Sequence, residues 1–121
     1  EESRRLILPF RLRMLSQRIA MHYLYRASGL MTPNAPEMEL AYARSEFAAN
    51  LSRSTQNNAL PAETREAVAK LAGLWPAYQS AAGKTGEPVA MLKNAPAVME
   101  MSEQVLGATD KVVGSLLAPA R

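Results

Sequence analysis

Six arginines, Arg4, Arg5, Arg11, Arg13, Arg18 and Arg26, fall between Ser3 and Pro36, and no aspartate or glutamate lies among them. A guanidinium presents five N–H donors in a rigid planar fork that matches carboxylates, phosphates and other oxyanions. The formal net charge of +3 understates the asymmetry, because the rest of the chain is near balance or acidic. A charge block confined to one element points to an anionic partner: a small ligand, a phosphate headgroup, nucleic acid or an acidic protein.

Other chemistry is poorly represented. With no cysteine there is no disulfide, thiolate metal site or Cys nucleophile, a composition that suits an oxidising compartment. His22 is the single histidine. It has no carboxylate or second histidine in its stretch, so a partly buried structural role is expected for it, not a base or metal ligand. Met14, Met21, Met38 and Met99 recur at helical spacing and read as packing, and Met99-x-Met101 points to two faces. Glu37/Glu39 and Glu100/Glu103 lack the Glu-x-x-His element of di-iron bundles. With no nucleophile–base or metal constellation, no enzyme activity and no cofactor are expected.

The elements that must position the arginines are helical. Apolar residues make up 48% of the 121 residues and aromatics only 6%, which favours helix over sheet in one domain spanning 1–121. No apolar run approaches the ~20 residues of a membrane span. The chain opens on Glu1-Glu2-Ser3 without the basic start and apolar middle of a signal peptide.

Proline and glycine divide the chain into helices over about 3–31, 35–57, 61–82 and 88–118. The first carries the row Leu8, Leu12, Leu15, Ile19 and His22 and stops at Thr32-Pro33. Asn34-x-x-Glu37 reads as a capping box with Pro36 in the first turn, ahead of Leu40, Ala43, Phe47 and Leu51. Asn57-Asn58 ends that helix. The third shows Val68, Leu71, Trp75, Tyr78 and Ala82, with a bend expected at Pro76 and Gly83 as C-terminal cap. The fourth shows Leu92, Ala95, Met99, Ser102, Leu106, Thr109, Val113 and Leu116, with Pro96 expected to split off a short lead-in. Short loops imply antiparallel neighbours, so the expected fold is an all-α, up-down-up-down four-helix bundle.

Phased on its 3.6-residue repeat, helix one aligns Leu6, Phe10, Arg13, Gln17, Ala20 and Leu24 in one row beside the core row. Arg11 and Arg18 share a neighbouring row with Met14, Leu15 and Met21. A guanidinium embedded in an apolar row needs an acceptor, and its own helix offers no acid. Three partners are open to Arg13. One is an acid from another helix, with Glu46, Glu100, Glu103 and Asp110 as candidates. The second is solvent. The third is a small anion shared with the Arg13 of a second copy, where a planar oxyanion converts repulsion between two guanidinium groups into paired hydrogen bonds.

Arg11-Leu-Arg13-Met14-Leu15-Ser16-Gln17-Arg18-Ile19-Ala20 resembles the signature that opens the PilJ-type domain, the N-terminal sensor module of type IV pili chemotaxis transducers. Phe47 to Leu51, Trp75-x-x-Tyr78 and Leu106 to Val113 resemble the family as well. The resemblance implies a periplasmic, ligand-binding four-helix bundle, working as a homodimer and normally held between two transmembrane helices. Related NarX-type nitrate and nitrite sensors carry a similar run, whose first arginine grips nitrate at the dimer interface from both subunits. That arginine matches Arg13, and the second matches Arg18. The family's Ala-Gly pair before the run is replaced by Pro9-Phe10, and its Arg-Gln by Arg11-Leu12. A ring therefore stands where glycine lets backbone approach a ligand.

The expectation is a periplasmic sensor domain that takes a nitrate- or nitrite-like anion at a helix-one homodimer interface, with Arg13 as main contact. Arg11, Gln17, Phe10 and Arg18 are the secondary site residues. Nucleic acid is not an expected partner, because the arginines interleave with Leu, Ile and Met instead of forming a solvated stripe. A membrane is expected only through flanking segments. The competing expectation is a structural or protein-interaction bundle of the same family that has lost the small-ligand site.

Overall fold

The computed structural model describes residues 2–29, 34–84 and 87–117, with side chains described at 8–29, 38–84 and 87–117. Four helices form a bundle: α1 (Glu2–Ser28), α2 (Asn34–Thr55), α3 (Ala62–Ala82) and α4 (Pro88–Leu117). No strand occurs among the described residues. The expected Leu6 and the capping side chains Asn34 and Glu37 lie outside the described side chains, and Thr32-Pro33 lies outside the described residues. No described helix is long and apolar enough to cross a membrane.

Local chemistry accounts for the ends. α1 stops at Ser28, three residues earlier than expected, because Gly29 takes a left-handed φ of 70° that side-chain-bearing residues avoid. α2 stops at Thr55, where Asn57 turns the chain by accepting the Ala59 N–H at 3.0 Å through its side-chain oxygen. Gly83 does follow α3, but with a right-handed φ of −82°. Its lack of a side chain leaves room for Arg44: a Cβ there would sit 2.7 Å from Nη2 of Arg44, which would have to move aside, and 3.0 Å from the Gln79 carbonyl. Arg44 thus lays its guanidinium on the last turn of α3, which has no basic residue of its own to meet the helix dipole.

The prolines do not divide the helices. α4 is continuous through Pro96, against the expected split, and α3 is continuous through Pro76. Both rings lie on exposed faces.

The expected core rows of α2 and α3 are buried throughout. At their centre Phe47 stacks on Trp75 at 4.2 Å between ring centroids, and Tyr78 meets Trp75 edge-on at 6.0 Å. Such pairs add about 0.5–1.5 kcal/mol beyond the area they bury. In α1, Leu12, Leu15 and Ile19 are buried as expected, but Tyr23 takes the next core place and His22 is half-buried, its ring edge-on to Tyr25. At about 100° per residue, Tyr23 comes round to within about 20° of Leu12 while His22 falls about 80° away, so Tyr23 continues the core side.

The α4 row is half right. Ala95, Ser102, Thr109 and Val113 are buried as expected, whereas Leu92 and Met99 are exposed and Leu106 and Leu116 half-buried; Met91, Val98, Val105 and Val112 fill the core in their place. Two adjacent apolar rows run along this helix, and periodicity alone does not say which turns inward. Packing turns the compact valines into the narrow seam and leaves the longer Leu/Met row at its rim.

A partly buried polar knot ties α1, α3 and α4 together. Asn94 donates from Nδ2 to the Tyr23 hydroxyl and to the Ala81 carbonyl, both at 2.9 Å, while the Tyr23 hydroxyl donates to the Met91 carbonyl at 3.2 Å. Tyr78 donates across the core to the Ser16 carbonyl at 2.7 Å. Inside a core each such bond is favoured because the unpaired alternative is costly.

Candidate functional site

Arg13 sits where α1 meets α4, and α4 supplies its partner. Nε of Arg13 donates to Oδ1 of Asp110 at 2.7 Å across 97 residues of sequence, with the two side chains 40% and 53% exposed. Of the four candidate acids, Asp110 is the one bonded to Arg13. Glu46 instead accepts from the Tyr42 hydroxyl at 2.8 Å, and Glu100 and Glu103 are exposed on α4. The bond to Asp110 engages Nε, and a guanidinium carries four more N–H donors on its terminal nitrogens.

The remaining arginines of the run diverge around α1. Arg11 is exposed and acts on the α2 side, where its charge pulls against Glu46 at the Tyr42 hydroxyl. The hydrogen bond and charge of Glu46 dominate there and hold that phenol above its ordinary value. Arg18 is exposed. The structure therefore sends Arg11 and Arg13 to different neighbours and does not gather the basic run into one cluster.

Phe10, Gln17 and Leu24, expected beside the core, lie at its rim. Phe10 is 47% exposed, Gln17 is exposed, and of that row Ala20 alone is buried among the described side chains. Gln17, Ala20, Met21 and Leu24 from α1 line an open, mainly apolar groove against Met99, Ser102, Glu103 and Leu106 of α4. Phe10 thus fills no interior pocket. Its ring stands on the outward face of α1.

That outward face holds a feature that the phasing of α1 did not single out. Phe10, Met14, Gln17, Met21 and Leu24 follow one another at alternating four- and three-residue steps, the spacing of a coiled-coil seam. Each of the four apolar members is more than a third exposed. The signal is present in the sequence, but the Leu12–Leu15–Ile19 row has the same period and competes for the core. Only burial separates the two.

Among the described residues no group of three or more His, Asp or Glu side chains converges as a metal site. His22 is half-buried with its ring edge-on to Tyr25. No family model, curated protein or solved structure matches the chain. The resemblance of the Arg11–Ala20 run accordingly stands on its residues and on the helical pattern around it.

Proposed function

We propose that this chain is a sensor-type four-helix domain of the PilJ kind, periplasmic in setting, which pairs with a second copy through α1. In this reading it takes a small oxyanion, nitrate or nitrite foremost, beside Arg13. The helices run up, down, up, down. The hydrogen bond between Thr64 and Ser115, that from Asn94 to the Ala81 carbonyl and that from Arg13 to Asp110 support α4 running opposite to α3 and to α1.

The observation that carries the reading is the exposed apolar seam Phe10–Met14–Gln17–Met21–Leu24, in which the arginine run is embedded. A contiguous apolar stripe on a helix that already buries a full core row marks an interface. Two such stripes facing each other would bring the flanking Arg13 residues near one another. There a planar anion would take hydrogen bonds from both, with Gln17 as a neutral donor one turn on and Arg11 and Arg18 adding positive field. Signalling would follow from a change in how α1 packs on α4, helices that make the most extensive contact in the bundle.

One observation favours a second reading, a structural or protein-interaction bundle without a small ligand: Arg13 already has a carboxylate. Thermal-shift and calorimetric titration with nitrate, nitrite and a panel of other oxyanions decides between the two. Stabilisation of the wild type that disappears in Arg13→Ala supports the sensor reading. No response to any anion, in protein shown by sedimentation to be dimeric, leaves the interaction bundle.

A further inference from the structure

We infer that Asp110 is a built-in competitor of the anion site, a carboxylate that holds Arg13 until a ligand displaces it and thereby loosens α4 from α1 at that level. The inference rests on the anion-site reading of Arg13. Its starting point is the bond itself: 2.7 Å from Nε to Oδ1, joining the first helix to the last. Lys70 and Glu66, 4.0 Å apart, lie within one turn of α3 and connect nothing else. The Arg13–Asp110 pair is a link between elements, so its loss has a structural consequence beyond one helix.

Exposure makes the link exchangeable. With 40% and 53% of the two side chains open to solvent, the pair belongs to the class of surface salt bridges whose net strength is small. A buried pair would have to be replaced by something equally desolvated, whereas a half-exposed one is opened by any acceptor that competes in water. The carboxylate of Asp110 is itself a planar oxyanion, so it is chemically a tethered version of the proposed ligand. A site occupied by such a pseudo-ligand responds only above the concentration at which the free anion outcompetes it. The observed affinity is then the intrinsic affinity reduced by the fraction of sites left open.

Displacement also supplies a route from occupancy to shape. Asp110 is exposed on α4, and Gln17, Met21, Glu103 and Leu106 line the groove between the same two helices. Removing the Arg13 bond leaves this stretch of the seam to apolar contacts that tolerate sliding. By reciprocity, whatever strengthens the α1–α4 link weakens anion binding by the same factor.

The test is calorimetric titration of sodium nitrate into the full chain as wild type, Asp110→Asn, Asp110→Ala and Arg13→Ala, with circular dichroism to verify that each is folded. Asp110 is exposed, so its replacement leaves the core untouched. Both Asp110 variants should bind nitrate roughly three- to ten-fold more tightly than wild type, the range expected for removing a surface ion pair and its repulsion of the ligand. Arg13→Ala should not bind. Binding seen only in the Asp110 variants also supports the competitor, as one strong enough to mask the site. Wild-type binding that Asp110→Asn leaves equal or weakens overturns the inference while the anion site stands. No binding by any variant overturns the anion-site reading and this inference with it.

Discussion

Among the described residues, the α1–α4 half of the bundle and the α2–α3 half treat water differently. Phe10, Met14, Met21, Leu24 and Tyr25 on α1, and Val89, Leu92, Met99 and Leu117 on α4, are large apolar side chains left exposed. α2 leaves only Met38 and Tyr42 so, and α3 none. The outer face of α3 presents Glu63, Arg65, Glu66, Lys70 and Ser80 instead. The difference is not a shortage of core on one side, because Leu12, Leu15, Ile19 and Tyr23 are as fully buried as Phe47, Leu71 and Tyr78. α1 and α4 each carry a second apolar row beyond what the fold consumes. α2 and α3 are elements finished by folding, with an aromatic stack at their centre and Arg44 laid over Gly83; α1 and α4 are elements with surface still to bury.

Three experiments break or sharpen that contrast. The largest effect belongs to the finished half. Phe47→Ala removes the stacking partner of Trp75 from a fully buried site and should cost about 3–5 kcal/mol in urea unfolding. A loss under about 1 kcal/mol would mean that the α2–α3 side is not what holds the bundle together.

The unfinished half should behave in the opposite way. Met14→Glu combined with Met21→Glu should leave the unfolding free energy of the monomer within about 0.5 kcal/mol of wild type. The same pair should weaken self-association at least tenfold, about 1.4 kcal/mol, by sedimentation equilibrium. Unchanged association would remove α1 as the interface.

The smallest effect concerns one of the bonds that join the halves. Burial pushes the Tyr78 phenol above its ordinary value, and the bond to the Ser16 carbonyl requires its proton. A folded-state value raised above the unfolded one means stability that is intact below about pH 10 and lost as pH rises above it. Tyr78→Phe should lower stability by about 1 kcal/mol at neutral pH and flatten the decline above pH 10. An equally steep decline in the Phe variant would assign it to other groups.

The resemblance-bearing run is legible as chemistry from residue types and spacing alone: a guanidinium one turn from a glutamine, in a stretch from Ser3 to Pro36 without acids. Its surroundings are not. That Asp110, not Glu46, Glu100 or Glu103, answers Arg13 depends on how α1 and α4 are rotated against each other, and no local pattern encodes that rotation. The same ambiguity moved Leu92 and Met99 out of the α4 core and put Tyr23 in the place expected for His22. Gly83 could be recognised as a stop, but the Arg44 side chain that lies over it comes from 39 positions away in sequence.

The sequence by itself determined the helical class, the four segments and the core rows of α2 and α3, because each follows from short-range spacing and from backbone limits at proline, glycine and asparagine. Tertiary structure alone decided which of two apolar rows on α1 and on α4 turns inward. It also decided that Arg13 meets a carboxylate at the rim of the seam. A helix with apolar residues on more than one side has no rotation of its own; the neighbours that exclude water from it choose one, and that choice sets which side chains remain outside to meet a partner.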